Sequence, residues 1–276
     1  MNVEYFHVHR SRPLGSGGEA CVFQLTSAAS GRVYAGKFPN ALLPLVAQNQ
    51  LLSELSRVMR VTGRYVVRPH AWNLGAQPFI VYEFAPFGSL RDEMNWIRGQ
   101  GKVYHPAFAL SRVRQMLLGI RDAHHSGVVH RDVKPDNFLV FASDDIRLHD
   151  FGVGRAFCRW DDLYSTRCVG TPNYAAPEQW QGCRVDGRAD LYPVGVVLYE
   201  MLTGWLVDPA GQSPLPSRIY SNVLPSLDRF CCRLLAPDYR FRPANVDQAL
   251  EEVQHIEREY LLYRQRFHWF GMTSPY

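Results

Sequence analysis

The run Val129-His130-Arg131-Asp132-Val133-Lys134-Pro135-Asp136-Asn137-Phe138-Leu139 sets a carboxylate, an ammonium and a carboxamide close together between apolar positions. Most polar loops are simply solvated, but few have β-type runs on both sides. Asp132 is suited to take a proton from a hydroxyl nucleophile, Lys134 to neutralise a phosphoryl group in transfer, and Asn137 to offer an oxygen to a hard cation. A short β-type stretch then leads into His149-Asp150-Phe151-Gly152. An aspartate at a strand end, followed closely by glycine, reads as a Mg2+ ligand on a flexible base.

Two upstream segments bear on the same chemistry. Leu14-Gly15-Ser16-Gly17-Gly18-Glu19-Ala20-Cys21-Val22 lies between two β-type runs. Its glycines let a hairpin backbone approach a phosphate, because no Cβ intervenes. Taken alone it is an ordinary turn, and a dinucleotide-binding reading fails because a β-type run, not a helix, follows. One strand later, Val33-Tyr34-Ala35-Gly36-Lys37 ends on a lysine. Either it snorkels to solvent, or it points inward and needs a partner, for which Glu54 on the first helix is suited. Downstream, Gly170-Thr171-Pro172-Asn173-Tyr174-Ala175-Ala176-Pro177-Glu178 follows a polar, aperiodic stretch over 153–169. A connection that long in a compact domain is functional or disordered.

Around these segments the pattern changes once. Residues 3–38 alternate β-type runs (4–9, 20–25, 33–38) with turns, and two more runs cover 66–72 and 79–84. Between them Leu51, Leu52, Leu55, Val58 and Met59 recur at helical spacing. Beyond Gly88 helical periods dominate: Leu110 to Ala123, Leu191 to Leu202, which is apolar nearly all round and so predicted buried, and Val246 to Ile256. Pro193 falls in the first turn of the second helix, where proline is tolerated.

Composition excludes several classes. With 276 residues, 46% of them hydrophobic and 20% charged, the chain is globular rather than disordered or repetitive. A net charge of +4, dispersed along the chain, lacks the basic stripe of a nucleic-acid binder. No apolar run is long enough to span a bilayer, and residues 1–10 lack the apolar core of a secretory signal. The six cysteines form no C-x-x-C pair, which argues against a structural zinc or a disulfide framework. The expectation is a soluble, reduced, cytoplasmic protein with no membrane span and no nucleic-acid partner.

The five segments, in this order and at these spacings, resemble the eukaryotic-type serine/threonine protein kinase family, whose signature set they match one after another. The resemblance covers roughly residues 8–262, and the wording around Asp132 and over 195–204 is similar to bacterial members. It implies an α+β, bilobal protein-kinase-like fold. Residues 1–85 would form a small β-rich lobe with one main helix. Residues 86–276 would form a larger, mostly helical lobe ending in an aromatic tail. It also implies ATP and Mg2+, with Mn2+ as a substitute, and protein substrates bearing serine or threonine acceptors.

Residue by residue, Leu14, Gly15, Ser16, Gly17 and Gly18 look like the loop over the ATP phosphates, and Val22, Ala35 and Leu139 like the residues enclosing adenine. Lys37 matches the lysine on the α- and β-phosphates, held by Glu54. Tyr82 stands at the gatekeeper position, with Glu83, Phe84 and Ala85 as the hinge. Asp132 matches the catalytic base, Lys134 the γ-phosphate contact, and Asn137 and Asp150 the metal ligands. Glu178 and Arg242 resemble a structural pair, and Asp190 the aspartate that holds the catalytic-loop backbone. Arg131 is similar to the arginine that pairs with an activation-loop phosphate, for which Ser165 and Thr166 are the candidate acceptors. Thr171 lies in the segment typical of serine/threonine kinases.

The departures define the alternatives. Ala20 replaces a third loop glycine, Gly36 replaces a branched residue and is expected to loosen its strand, and His149 is expected to bring a charge near the metal site around neutral pH. The stretch 205–224 is short and proline-rich where many kinases carry a docking helix. A pseudokinase or scaffold that binds nucleotide or partner without catalysis would announce itself by loss of Lys37, Asp132 or Asp150, and all three are present. A small-molecule kinase would lack a segment like 170–178.

Overall fold

In the computed structural model, residues 5–16, 20–40, 44–152, 155–156, 173–180, 185–208 and 211–269 are described. The smaller lobe is an antiparallel sheet with one helix. Strands β1 (Phe6–Ser16), β2 (Ala20–Ser27) and β3 (Val33–Pro39) form a meander. The β2–β3 turn closes through Gly31 at φ +69°, a left-handed conformation that glycine adopts at little cost. Helix α1 (Pro44–Val58) follows, then β4 (Pro69–Asn73) and β5 (Phe79–Glu83), giving the strand order β1-β2-β3-β5-β4. The expected run over 66–72 is shorter as a strand. Val67 instead donates its N–H to Leu148 O (2.9 Å), tying this segment to the larger lobe, and Pro69 has no N–H to give. On α1, Leu51, Leu55 and Val58 are buried as the spacing predicts, whereas Leu52, and Met59 just past the helix end, face solvent, so the apolar stripe is narrower than expected.

The larger lobe is built on α2 (Leu90–Gly99), α3 (Pro106–His125), α4 (Pro177–Trp180), α5 (Leu191–Thr203), α6 (Pro216–Ile219), α7 (Pro225–Leu234) and α8 (Val246–Trp269). Two short antiparallel pairs sit at the junction between the lobes. One joins β6 (Val128–Val129) to β9 (Arg155–Ala156), the other β7 (Phe138–Ala142) to β8 (Asp145–Leu148). A reciprocal cap starts α2, with Ser89 N–H on Asp92 Oδ2 (2.8 Å) and Asp92 N–H on Ser89 Oγ (3.3 Å). Helix α5 is buried along its whole length, as its apolar pattern predicts, and ends at Gly204 with φ +79°. Over 205–224 the only helix among the described residues is the four-residue α6, in line with the proline-rich sequence. One continuous core runs from α1 and β5 through α3 and α5 to α8, and the junction strands lie directly against it.

Candidate active site

Lys37 opposes Ile80 across the β3–β5 pairing and turns inward, the second of its two sequence readings. Its Nζ lies 2.7 Å from Glu54 Oε2 on α1 and 2.9 Å from Asp150 Oδ1. Burial alone would lower the Lys37 ammonium, but the two carboxylates outweigh it and hold it above its usual value. Burial would likewise raise the Asp150 carboxyl. Lys37 overrides that and pushes it well below the carboxylate range. Tyr82 adds a third partner: its hydroxyl donates to Glu54 Oε1 at 2.7 Å. Burial, then the nearby Glu54, raise that phenol well above its ordinary value, so it remains a donor.

The residues of segment 130–137 stand opposite. Lys134 Nζ is 2.8 Å from Asp132 Oδ2. Asn137 Nδ2 donates to the Asp132 carbonyl at 2.7 Å and to Asp132 Oδ2 at 3.1 Å. Arg131 sits at φ +67°, an unfavourable conformation for a residue with a Cβ. Asp190 overcomes that cost, its buried carboxylate accepting the N–H groups of His130 (2.8 Å) and Arg131 (2.7 Å) and the ring of His124 (2.8 Å). Gln179 Nε2 also holds the Arg131 carbonyl at 2.8 Å. The loop is tied to Asp150 through His149 N–H on Asn137 O (2.8 Å) and His130 Nε2 on His149 O (3.2 Å).

These groups converge on one cleft of about 810 Å³ between the lobes. Leu14, Gly15, Val22, Ala35, Lys37, Tyr82, Phe84, Ala85, Asp132, Lys134, Asn137, Leu139 and Asp150 line it, together with Ala20, Asp136 and His149. Glu54 stands behind Lys37. The Glu83 side chain turns away to Arg147 (2.6 Å), which leaves only its backbone for a hinge role. Ser16 closes β1 opposite Cys21. Gly17, Gly18, Ser165, Thr166 and Thr171 lie outside the described residues, as does the tail from Phe270 onward. Away from the cleft, buried Arg242 grips Glu178 through both terminal nitrogens (2.7 and 2.8 Å) and donates to the carbonyls of Arg188, Ala236 and Pro237.

At Gly36 an added Cβ would lie 2.6 Å from Leu25 Cδ1 and 2.9 Å from the Phe38 ring, so the missing side chain leaves room for both neighbours. One expectation about the departures is corrected. His149 brings no charge at neutral pH, because burial lowers its imidazole below the usual histidine range while its ring sits edge-on to Tyr82 at 4.9 Å between centroids.

Sequence reading also missed residues that matter to the geometry. His130 and Phe151 stack edge to face (5.0 Å) beneath Asp150. Arg91 grips Glu200 (2.7 Å) and Tyr174, joining α2 to α5 and to the segment before Glu178. Arg57 reaches from α1 to the backbone after Asp150. Its position one turn after Glu54 was the available signal, since such residues share a helix face.

The donor set fits a magnesium-nucleotide. Asn137 points its amide nitrogen at Asp132, which leaves its carbonyl oxygen for a cation, and Asp150 supplies an anionic oxygen. Mg2+ takes few protein oxygens and completes its shell with phosphates and water.

This two-lobed α+β domain, with a deep cleft lined by charged groups, is assigned to a family by comparison with known proteins. The protein kinase domain family matches residues 8–252, nearly the whole chain. The serine/threonine-protein kinase PknD of Mycobacterium tuberculosis is 34% identical over 254 residues, which is 84% of this chain and 37% of that protein. PknL of Mycobacterium bovis is 34% identical over 196 residues, 69% of this chain and 48% of its own length. Pkn3 of Myxococcus xanthus is 28% identical over 276 residues, 89% of this chain and 49% of its own. The chain belongs to the eukaryotic-type serine/threonine protein kinase family and resembles its bacterial members. It spans about a third to a half of the length of these curated relatives.

Proposed function

We propose that the chain transfers the γ-phosphoryl group of Mg·ATP to serine or threonine hydroxyls of proteins. The observation that carries this reading is the pair of clusters facing one cleft: Lys37, Glu54 and Asp150 on one side, Asp132, Lys134 and Asn137 on the other. Leu14 with the glycine loop, Val22, Ala35, Phe84, Ala85 and Leu139 hold the nucleotide, and Lys37 binds its phosphates. Asn137 and Asp150 would hold the magnesium, which would supply charge neutralisation at the phosphates. Asp132 receives the acceptor proton as the hydroxyl oxygen bonds to phosphorus and the bond to the ADP oxygen breaks. Lys134 lies within reach of both that carboxylate and the transferred group. Such a reaction needs positioning and charge neutralisation more than covalent chemistry.

We further propose residues 1–85 and 86–276 as the lobes of one catalytic domain, acting in the cytoplasm where ATP is supplied. No helix among the described residues is long and apolar enough to cross a membrane. Arg131 is the proposed receiver of an activation-loop phosphate carried on Ser165 or Thr166.

Intact-mass spectrometry of phosphatase-treated protein after Mg·ATP, with a generic peptide substrate in parallel, tests this. Wild type should gain phosphate-mass steps or phosphorylate the peptide, and Asp132→Ala should do neither. Wild type inert in both arms, or Asp132→Ala as active as wild type, would reject it.

A further inference from the structure

Asp150 lies at φ +63°, in the left-handed region. Aspartate tolerates that region better than most residues but does not prefer it, so its surroundings must hold it there. Two of the restraints are local to its side chain: Lys37 at 2.9 Å, and the Gly152 N–H, which donates to Asp150 Oδ1 at 3.2 Å. The third acts on the backbone. Arg57 Nη1 donates to Phe151 O at 2.7 Å and Gly152 O at 2.5 Å, while its Nη2 donates to Ser53 Oγ at 2.8 Å. Ser53, Glu54 and Arg57 belong to α1, with Ser53 and Arg57 one turn apart. The same helix therefore grips Asp150 twice, by Glu54 through Lys37 and by Arg57 through the next two carbonyls. Rotating Asp150 out of the left-handed region would swing both carbonyls away from the guanidinium. Displacing α1 would break both grips together.

We propose that Arg57 is a positioning residue that locks Asp150 in its left-handed, cleft-facing conformation and couples that conformation to the placement of α1. It touches neither nucleotide nor metal and acts through the backbone of Phe151 and Gly152. The proposal deepens the phosphotransfer reading and rests on it for its consequence in catalysis, but its structural content stands apart.

Hydrogen exchange of metal-free protein reads that content directly. In Arg57→Met, exchange of the peptide spanning 150–152 should rise about tenfold or more, since both hydrogen bonds from the charged guanidinium are lost. Arg57→Lys, which retains one charged donor, should recover most of the protection, and Ser53→Ala, which frees the guanidinium from its own helix, should show a smaller rise. ADP affinity measured by calorimetry with and without Mg2+ reads the consequence. Arg57→Met should keep the metal-free affinity and lose most of the gain that Mg2+ brings.

Unchanged exchange in Arg57→Met overturns the proposal whatever happens to activity. So does faster exchange with the full metal-dependent gain, which would make Arg57 a strut without a positioning role. A wild type that binds Mg·ADP but phosphorylates nothing would sink the phosphotransfer reading and leave both Arg57 readouts in force. Should Arg57→Met fail to fold, Arg57→Lys and Ser53→Ala carry the same two measurements.

Discussion

Tyr82 shows how one atom changes what a position does. By sequence it is the side chain at the back of the nucleotide cleft; in the fold its hydroxyl is also a ligand of Glu54, which is buried and engages Lys37 with its other oxygen. Removing that hydroxyl leaves a buried carboxylate oxygen without its donor. Tyr82→Phe keeps the ring against His149, so the loss belongs to the hydrogen bond alone. We expect it to lower stability by about 1–3 kcal/mol, the cost of one buried unsatisfied polar group, and to weaken nucleotide binding. Urea unfolding with and without ADP measures both, and a variant matching wild type in both would show that Glu54 needs no second partner.

Among the elements, α3 packs closely against the backbone of Tyr65 and against β8. Gly119 is on its face toward the junction, where an added Cβ would meet Tyr65 O at 2.8 Å and Leu148 Cβ at 3.0 Å. Tyr65 O is already the acceptor for Leu148 N–H (2.8 Å), and Leu148 ends β8 just before His149 and Asp150. A side chain at this point therefore strikes backbone, which cannot swing aside as a side-chain terminus can. Gly119→Val should destabilise by about 1–3 kcal/mol through overpacking and weaken Mg·ADP binding through the displaced β8. Thermal unfolding and calorimetry check the two effects, and unaltered values in both would mean that α3 can retreat without moving the cleft.

Across the whole molecule, Asp190 is the joint. It lies before α5 and binds the catalytic loop and α3 at once, fully buried. Burial would raise its carboxyl, but His124 and the loop amides hold it below the ordinary value of 3.8. The folded state thus binds a proton less readily than the unfolded chain. The stability this confers is complete above the unfolded value and is lost as the pH falls through 3.8 toward the depressed folded value. Asp190→Asn should cost about 1–3 kcal/mol at neutral pH, because its amide nitrogen would face a buried donor in place of an acceptor oxygen, and should flatten the acid limb of the stability curve. Parallel acid limbs for the two proteins would assign that limb to other carboxylates.

Strand and helix content, the buried α5 and the proximity of Asp132, Lys134 and Asn137 were legible in the chain, because alternation, helical spacing and short sequence separation are local properties. The pairing of Lys37 with Glu54 was one of two readings of a strand-end lysine, and that of Glu178 with Arg242 was legible only through resemblance to a family. Short α2 and α7 went unseen because their apolar stripes span few turns. Tertiary structure alone decided that Leu25 and Phe38 close over Gly36, that burial lowers the His149 imidazole, and that Arg57 and Tyr82 serve Asp150 and Glu54. The physical reason is common to all four: burial, steric room and hydrogen-bond reach depend on which side chains meet across elements far apart in sequence, and no local pattern encodes those distances.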